Sequence, residues 1–166
     1  MSSRTAQGNI VKVWMADLNI AIAPQLIQTS GLGSCVSVVL YDEEAKAAGM
    51  AHIMLPSSRL HASGECNRAK YADSAIEDLY LLLIYHGARR NKVKAKIAGG
   101  AQMFEASSSA LRIGPRNVEA VKETLKKMHI FLAAEDTGGK SGRTVLFDPA
   151  TSHLSIRTVN AEEKII

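Results

Sequence analysis

The chain has 166 residues, of which 46% are apolar, 22% charged and 5% aromatic, with a formal net charge of +4. This composition excludes a wholly disordered chain, and basic residues scattered without interleaved aromatics argue against nucleic acid as a partner. No apolar run is long enough to cross a bilayer and the opening MSSRTAQGNI lacks a secretory apolar stretch, so no membrane insertion and a cytoplasmic location are expected.

Residues 1–8 read as a flexible N-terminal tail and residues 9–166 as a single domain. Alternating apolar residues predict a strand over Ile10 to Ile20, with a shorter one over Gln25 to Gln28. A glycine turn follows. Val36 to Tyr41 and Gly49 to Leu55 are apolar runs joined by the polar DEEAKAA, the pattern of a hairpin. Apolar residues Ala72, Ile76, Leu79 and Leu83 recur at helical spacing, predicting a helix within residues 69–90. Val93 to Ala98 reads as a strand and GGAQMF as a loop. Asn117 is placed to cap a second helix ending near Met128, with Glu119 close to its positive end. Strands are expected over Ile130 to Glu135, Arg143 to Phe147 and Leu154 to Val159. The order predicts an α+β fold, a layered α/β sandwich of mixed, largely antiparallel sheets with two main helices.

The chemistry concentrates in the predicted hairpin. If its loop is centred between Glu43 and Glu44, Cys35 faces His52, with Cβ atoms about 4.5–5.5 Å apart at a solvent-accessible rim. A free thiol with a pKa near about 8.5 is mostly protonated at neutral pH. An adjacent imidazole can take that proton and later return it to a leaving amine. Gly31 and Gly33 would allow positive φ and close substrate approach. Backbone amides around Ser34 and Cys35 can meet an oxyanion, and the Thr29 hydroxyl can orient His52. The same residue types also fit a plain core: cysteine packs as a small apolar residue, and buried histidine is often structural.

Other features carry less. Two cysteines in a chain without an export signal argue against a disulfide framework. Cys66 and His61 form at most half a metal site, with no second ligand pair at zinc spacing, so no metal is expected. GGKS at 138–141 lacks the first glycine of a phosphate-binding loop, since Ala134 occupies its place. Gln102 and Phe104 are candidates to line a substrate groove.

TSGLGSCVSVVLYD followed by GMAHIMLP resembles the signature of the CheD family of chemoreceptor glutamine deamidases, usually T-L-G-L-G-S-C and then G-x-x-H-x-x-L-P. Thr29, Gly31, Leu32, Gly33, Ser34 and Cys35 match, as do Gly49, His52, Leu55 and Pro56; Ser30 stands where the family usually has leucine. KYADSAI, KIAGGAQMF, IGPRN and DTGGKSGRTVLFD extend the resemblance, in order, over about residues 25–148. The resemblance implies Cys35 as nucleophile, His52 as general base and Thr29 as the histidine-orienting hydroxyl. It implies an α/β sandwich similar to the deamidase domains of cytotoxic necrotizing factors. The implied reaction converts glutamine side chains on the cytoplasmic helices of a chemoreceptor to glutamate, through a thioester and without a cofactor. Some family members are also credited with hydrolysing glutamyl methyl esters, and some bind a CheC-like phosphatase.

Overall fold

The computed structural model describes residues 9–62, 64–103 and 112–166. The expected tail at residues 1–8 and Phe104 therefore lie outside the described residues. Among the described residues, ten strands and two helices form three layers. One sheet contains, in spatial order, β1 (Ile10–Lys12), β3 (Leu26–Leu32), β8 (Arg143–Asp148), β9 (His153–Arg157) and β10 (Lys164–Ile165). The other contains β2 (Leu18–Ile22), β5 (Ala47–Ile53), β4 (Val36–Asp42), β6 (Lys94–Gly99) and β7 (Phe131–Thr137). The β1–β3 and β6–β7 pairs are parallel and the rest antiparallel. Helices α1 (Ala72–Tyr85) and α2 (Ile113–Lys127) cover the outer face of the second sheet. This agrees with the expected α+β sandwich.

The central hairpin explains the layering. Every residue of β4 and β5 is buried. Val36, Val38 and Leu40 face Ile76, Leu79 and Leu83 of α1 and Val121 and Leu125 of α2. Val39, Tyr41, Ala48 and Met50 point the other way, against Ile27, Val145 and Phe147 of the first sheet. A strand buried on both faces needs apolar residues at nearly every position, which is why this hairpin reads as unbroken apolar runs. No helix among the described residues is long and apolar enough to cross a membrane.

Three expectations are corrected. The single strand over Ile10 to Ile20 is two strands in different sheets. Asp17 breaks it, because its carboxylate accepts from the amides of Trp14 (3.1 Å) and Leu18 (2.9 Å), and Ala16 takes φ 55°. Asn117 does not cap α2. The helix starts at Ile113, Pro115 occupies its first turn where no amide acceptor is needed, and Asn117 lies in the second turn, buried. The β4–β5 register is also displaced by two residues: Asp42 pairs with Ala47, Val36 with Ile53, and Ser37, not Cys35, with His52.

Asp42 secures the hairpin turn. Its buried carboxylate accepts from the amides of Glu44, Ala45 and Arg89, and from Nε and Nη2 of Arg89 at 3.1 Å each. These bonds to the Arg89 side chain hold its pKa well below the usual carboxylate range. Asp42→Ala is expected to reduce unfolding free energy by about 2–3 kcal/mol, read by urea denaturation. Because the folded pKa is depressed, this contribution is complete above the unfolded value of about 4 and is lost as pH falls towards the folded one. The difference between wild type and Asp42→Ala should therefore shrink in acid.

Candidate active site

The site forms where the two sheets meet at one end of the hairpin. Cys35 immediately precedes β4 and points into the layer between the sheets; it is 8% exposed. His52, near the end of β5, is fully buried. Thr29 reaches the same layer from β3 and is 2% exposed. Thus Thr29, Cys35 and His52 converge, but in a different register from the one expected. His52 stands opposite Ser37 and diagonal to Cys35 on the same sheet face. A slip of two residues changes the partner while preserving the face. The imidazole is also enclosed, not at the expected open rim.

The hydrogen bonds fix the imidazole tautomer. Thr29 Oγ1 lies 2.7 Å from the Val13 carbonyl oxygen and 2.7 Å from His52 Nδ1. The carbonyl can only accept, so the single hydroxyl hydrogen goes to Val13. The contact with His52 must then run from Nδ1–H to Thr29 Oγ1. This leaves the Nε2 lone pair free, and Nε2 is buried with no hydrogen-bond partner among the described residues. Burial lowers the His52 pKa and raises that of the Cys35 thiol. Both shifts favour the neutral form of each group. Ser37 Oγ, across from His52, is also buried and unpartnered. Nothing in the spacing of the sequence singled it out.

Glycine loops build the wall around Cys35. Gly31 takes the expected positive φ, 71°, at an exposed irregularity within β3, where the register with β8 shifts between Thr29 and Leu32. Gly33 does not have positive φ; a Cβ there would come within 2.8 Å of Met103 Sδ, the end of a flexible and half-exposed side chain that can move aside. The Gly33 amide donates to Gly31 O (3.1 Å), so it is already engaged. The amides of Ser34 and Cys35 donate to no group among the described residues. The loop carrying Gln102 packs behind: Ala101 N donates to Gly33 O (2.9 Å), Gly100 N to Cys35 O (2.8 Å), and Gln102 N to Gly139 O (2.9 Å). Gln102 is thus joined to the Cys35 wall through its backbone neighbours. A groove of about 500 Å³ lined by Gly31, Met103, Gly142, Arg143 and Val159 opens alongside. Cys66 is an exposed free thiol, and no cluster of three or more metal-ligating side chains occurs among the described residues.

A two-sheet, helix-covered domain with a buried Thr–His pair beside a strand-leading thiol has the layout of a thiol–imidazole site. Comparison with known proteins specifies the family. A family profile described as CheD chemotactic sensory transduction matches residues 54–158. A Halalkalibacterium halodurans protein named chemoreceptor glutamine deamidase CheD is 57% identical over 95% of this chain and 99% of its own length. A Bacillus subtilis protein of the same name is 50% identical over 98% of this chain and 99% of its own length. A Geobacillus kaustophilus protein named probable chemoreceptor glutamine deamidase CheD is 53% identical over 98% of this chain. The chain belongs to the CheD family.

Proposed function

We propose that this protein deamidates glutamine side chains on the cytoplasmic helices of chemoreceptors, with Cys35 as nucleophile and His52 as base. The relatives' names supply the substrate class. The observation that carries the chemistry is the Thr29–His52 bond, which leaves an unpaired basic nitrogen on the face Cys35 shares. Cys35 Sγ attacks the carboxamide carbon as its proton passes to His52 Nε2. The amides of Ser34 and Cys35 donate to no group among the described residues and can receive the tetrahedral oxyanion. Collapse transfers the proton from Nε2 to the departing nitrogen and releases ammonia, leaving a thioester. Water then attacks with its proton taken by Nε2, and the thiol is restored as glutamate leaves. Such contacts commonly tighten only when substrate is bound, which accommodates the unpaired resting Nε2.

A turn next to the site suits a protein substrate. Trp14 and Met15 are 71% and 59% exposed on the β1–β2 turn. That turn is tied to the backbone of His52 by Ala16 N to His52 O (3.1 Å) and His52 N to Asp17 O (2.9 Å). The experiment is incubation with a receptor cytoplasmic fragment and mass-spectrometric mapping of glutamine-to-glutamate conversion. Receptor binding without conversion, under conditions where the B. subtilis relative works, would overturn the proposal in favour of a binding adaptor.

Thr29→Val keeps the volume but removes the acceptor for Nδ1–H. It is expected to lower kcat by about 10–100-fold, the usual scale for a residue that orients a functional imidazole. Cys35 should remain open to alkylation. Unchanged or raised kcat would remove Thr29 from the mechanism.

A further inference from the structure

The β4–β5 ladder ends at the Val36–Ile53 pair, one step short of Cys35. The next residues would be Cys35 and Met54, which are not paired. Cys35 O accepts from Gly100 N (2.8 Å), and Met54 N donates to Lys70 O (2.9 Å). The gap is bridged by one side chain. Asn117 Nδ2, from α2, donates to Ser34 O at 3.0 Å and to Met54 O at 2.9 Å. Asn117 is fully buried, and its Oδ1 has no partner among the described residues.

Gly114, Asn117, Val121 and Leu125 form the buried stripe of α2, on which Asn117 is the polar side chain. Its amide satisfies two main-chain carbonyls and leaves its own Oδ1 unpaired among the described residues. An unpaired buried acceptor costs about 1–3 kcal/mol. The carboxamide nitrogen carries two hydrogens and so can hold both carbonyls where the ladder ends. One of these carbonyls adjoins Cys35, and the other lies two residues beyond His52.

We propose that Asn117 is the positioning residue of this site. Its amide sets the separation of Cys35 from His52 by fastening the two main chains where β4 and β5 part. The inference rests on Cys35 and His52 being the reacting pair. Asn117 acts through their backbones and takes no part in proton transfer.

Asn117→Ala and Asn117→Asp, each with Cys66→Ser to remove the exposed thiol, test this. The aspartate has the same shape but would oppose oxygen to both carbonyls. In each variant kcat on the receptor fragment should fall by about 10–100-fold with KM within about twofold. The pH midpoint of Cys35 alkylation by iodoacetamide should move by about half a unit or more. Folded variants with kcat within about threefold of wild type and an unmoved alkylation midpoint would overturn the assignment. Wild-type protein gives a measurement independent of the variants' folding. The side-chain amide protons of Asn117, observed by NMR, should shift when Cys35 is alkylated, and unchanged resonances would also overturn it. Alkylation needs no receptor. Wild type that never deamidates the fragment would reject the proposed function, while a moved midpoint would still support the clamp.

Discussion

Cys35→Ala is expected to lose receptor deamidation by at least about 10³-fold while remaining folded, because removal of the proposed nucleophile leaves only binding and oxyanion contacts. The side chain is small and adjoins the Gly31–Ser34 segment, so its truncation should cost no more than about 1–2 kcal/mol. A thermal melt and far-UV circular dichroism check the fold, and ammonia release checks turnover. Substantial residual turnover would mean that water attacks the carboxamide directly.

His52→Ala is expected to abolish turnover to a similar degree, and here the fold also suffers. The imidazole is fully enclosed and its Nδ1–H satisfies Thr29 Oγ1. Truncation leaves a cavity and removes a buried hydrogen bond, for a loss of about 2–4 kcal/mol in urea unfolding. His52→Gln separates the two effects, since an amide can still donate to Thr29 but cannot shuttle the proton. Near-wild-type stability with turnover lost is the expected result for glutamine, and retained turnover would reject the base.

The buried pair also predicts the pH dependence. Burial keeps His52 neutral to lower pH than a free imidazole and keeps Cys35 protonated to higher pH than a free thiol. The kcat/KM plateau should therefore extend below about 6.5 and above about 8.5. Stability follows the same shifts. With the folded His52 pKa depressed, its contribution is complete above about 6.5 and is lost as pH falls. With the Cys35 value raised, its contribution is complete below about 8.5 and is lost as pH rises. A rate profile narrower than these limits would show that substrate meets an ion pair instead.

The sequence makes the hairpin legible but not its register. Both strands are apolar at almost every position because both faces are buried, so no alternation records which residues are opposed. The turn decides it: Asp42 gathers the Glu44 and Ala45 amides, making a four-residue loop over Glu43–Lys46. Since the displacement is even, Cys35 and His52 still share a face. Thr29 is sixteen residues from Val13 and twenty-three from His52 along the chain. No local pattern announces that junction; the family motif does. Asn117 left a usable signal, a polar residue on the apolar stripe of α2, but its place after IGPR also suits a helix cap. What that amide holds depends on the paths of Ser34 and Met54, which only tertiary structure fixes.

The most direct test maps products on the receptor fragment for wild type and Cys35→Ala, with and without hydroxylamine. A thioester on Cys35 predicts that wild type converts the same glutamines to glutamate and, with hydroxylamine present, partly to hydroxamate, while Cys35→Ala yields neither. Glutamate formed at those positions by Cys35→Ala at the wild-type rate would contradict it.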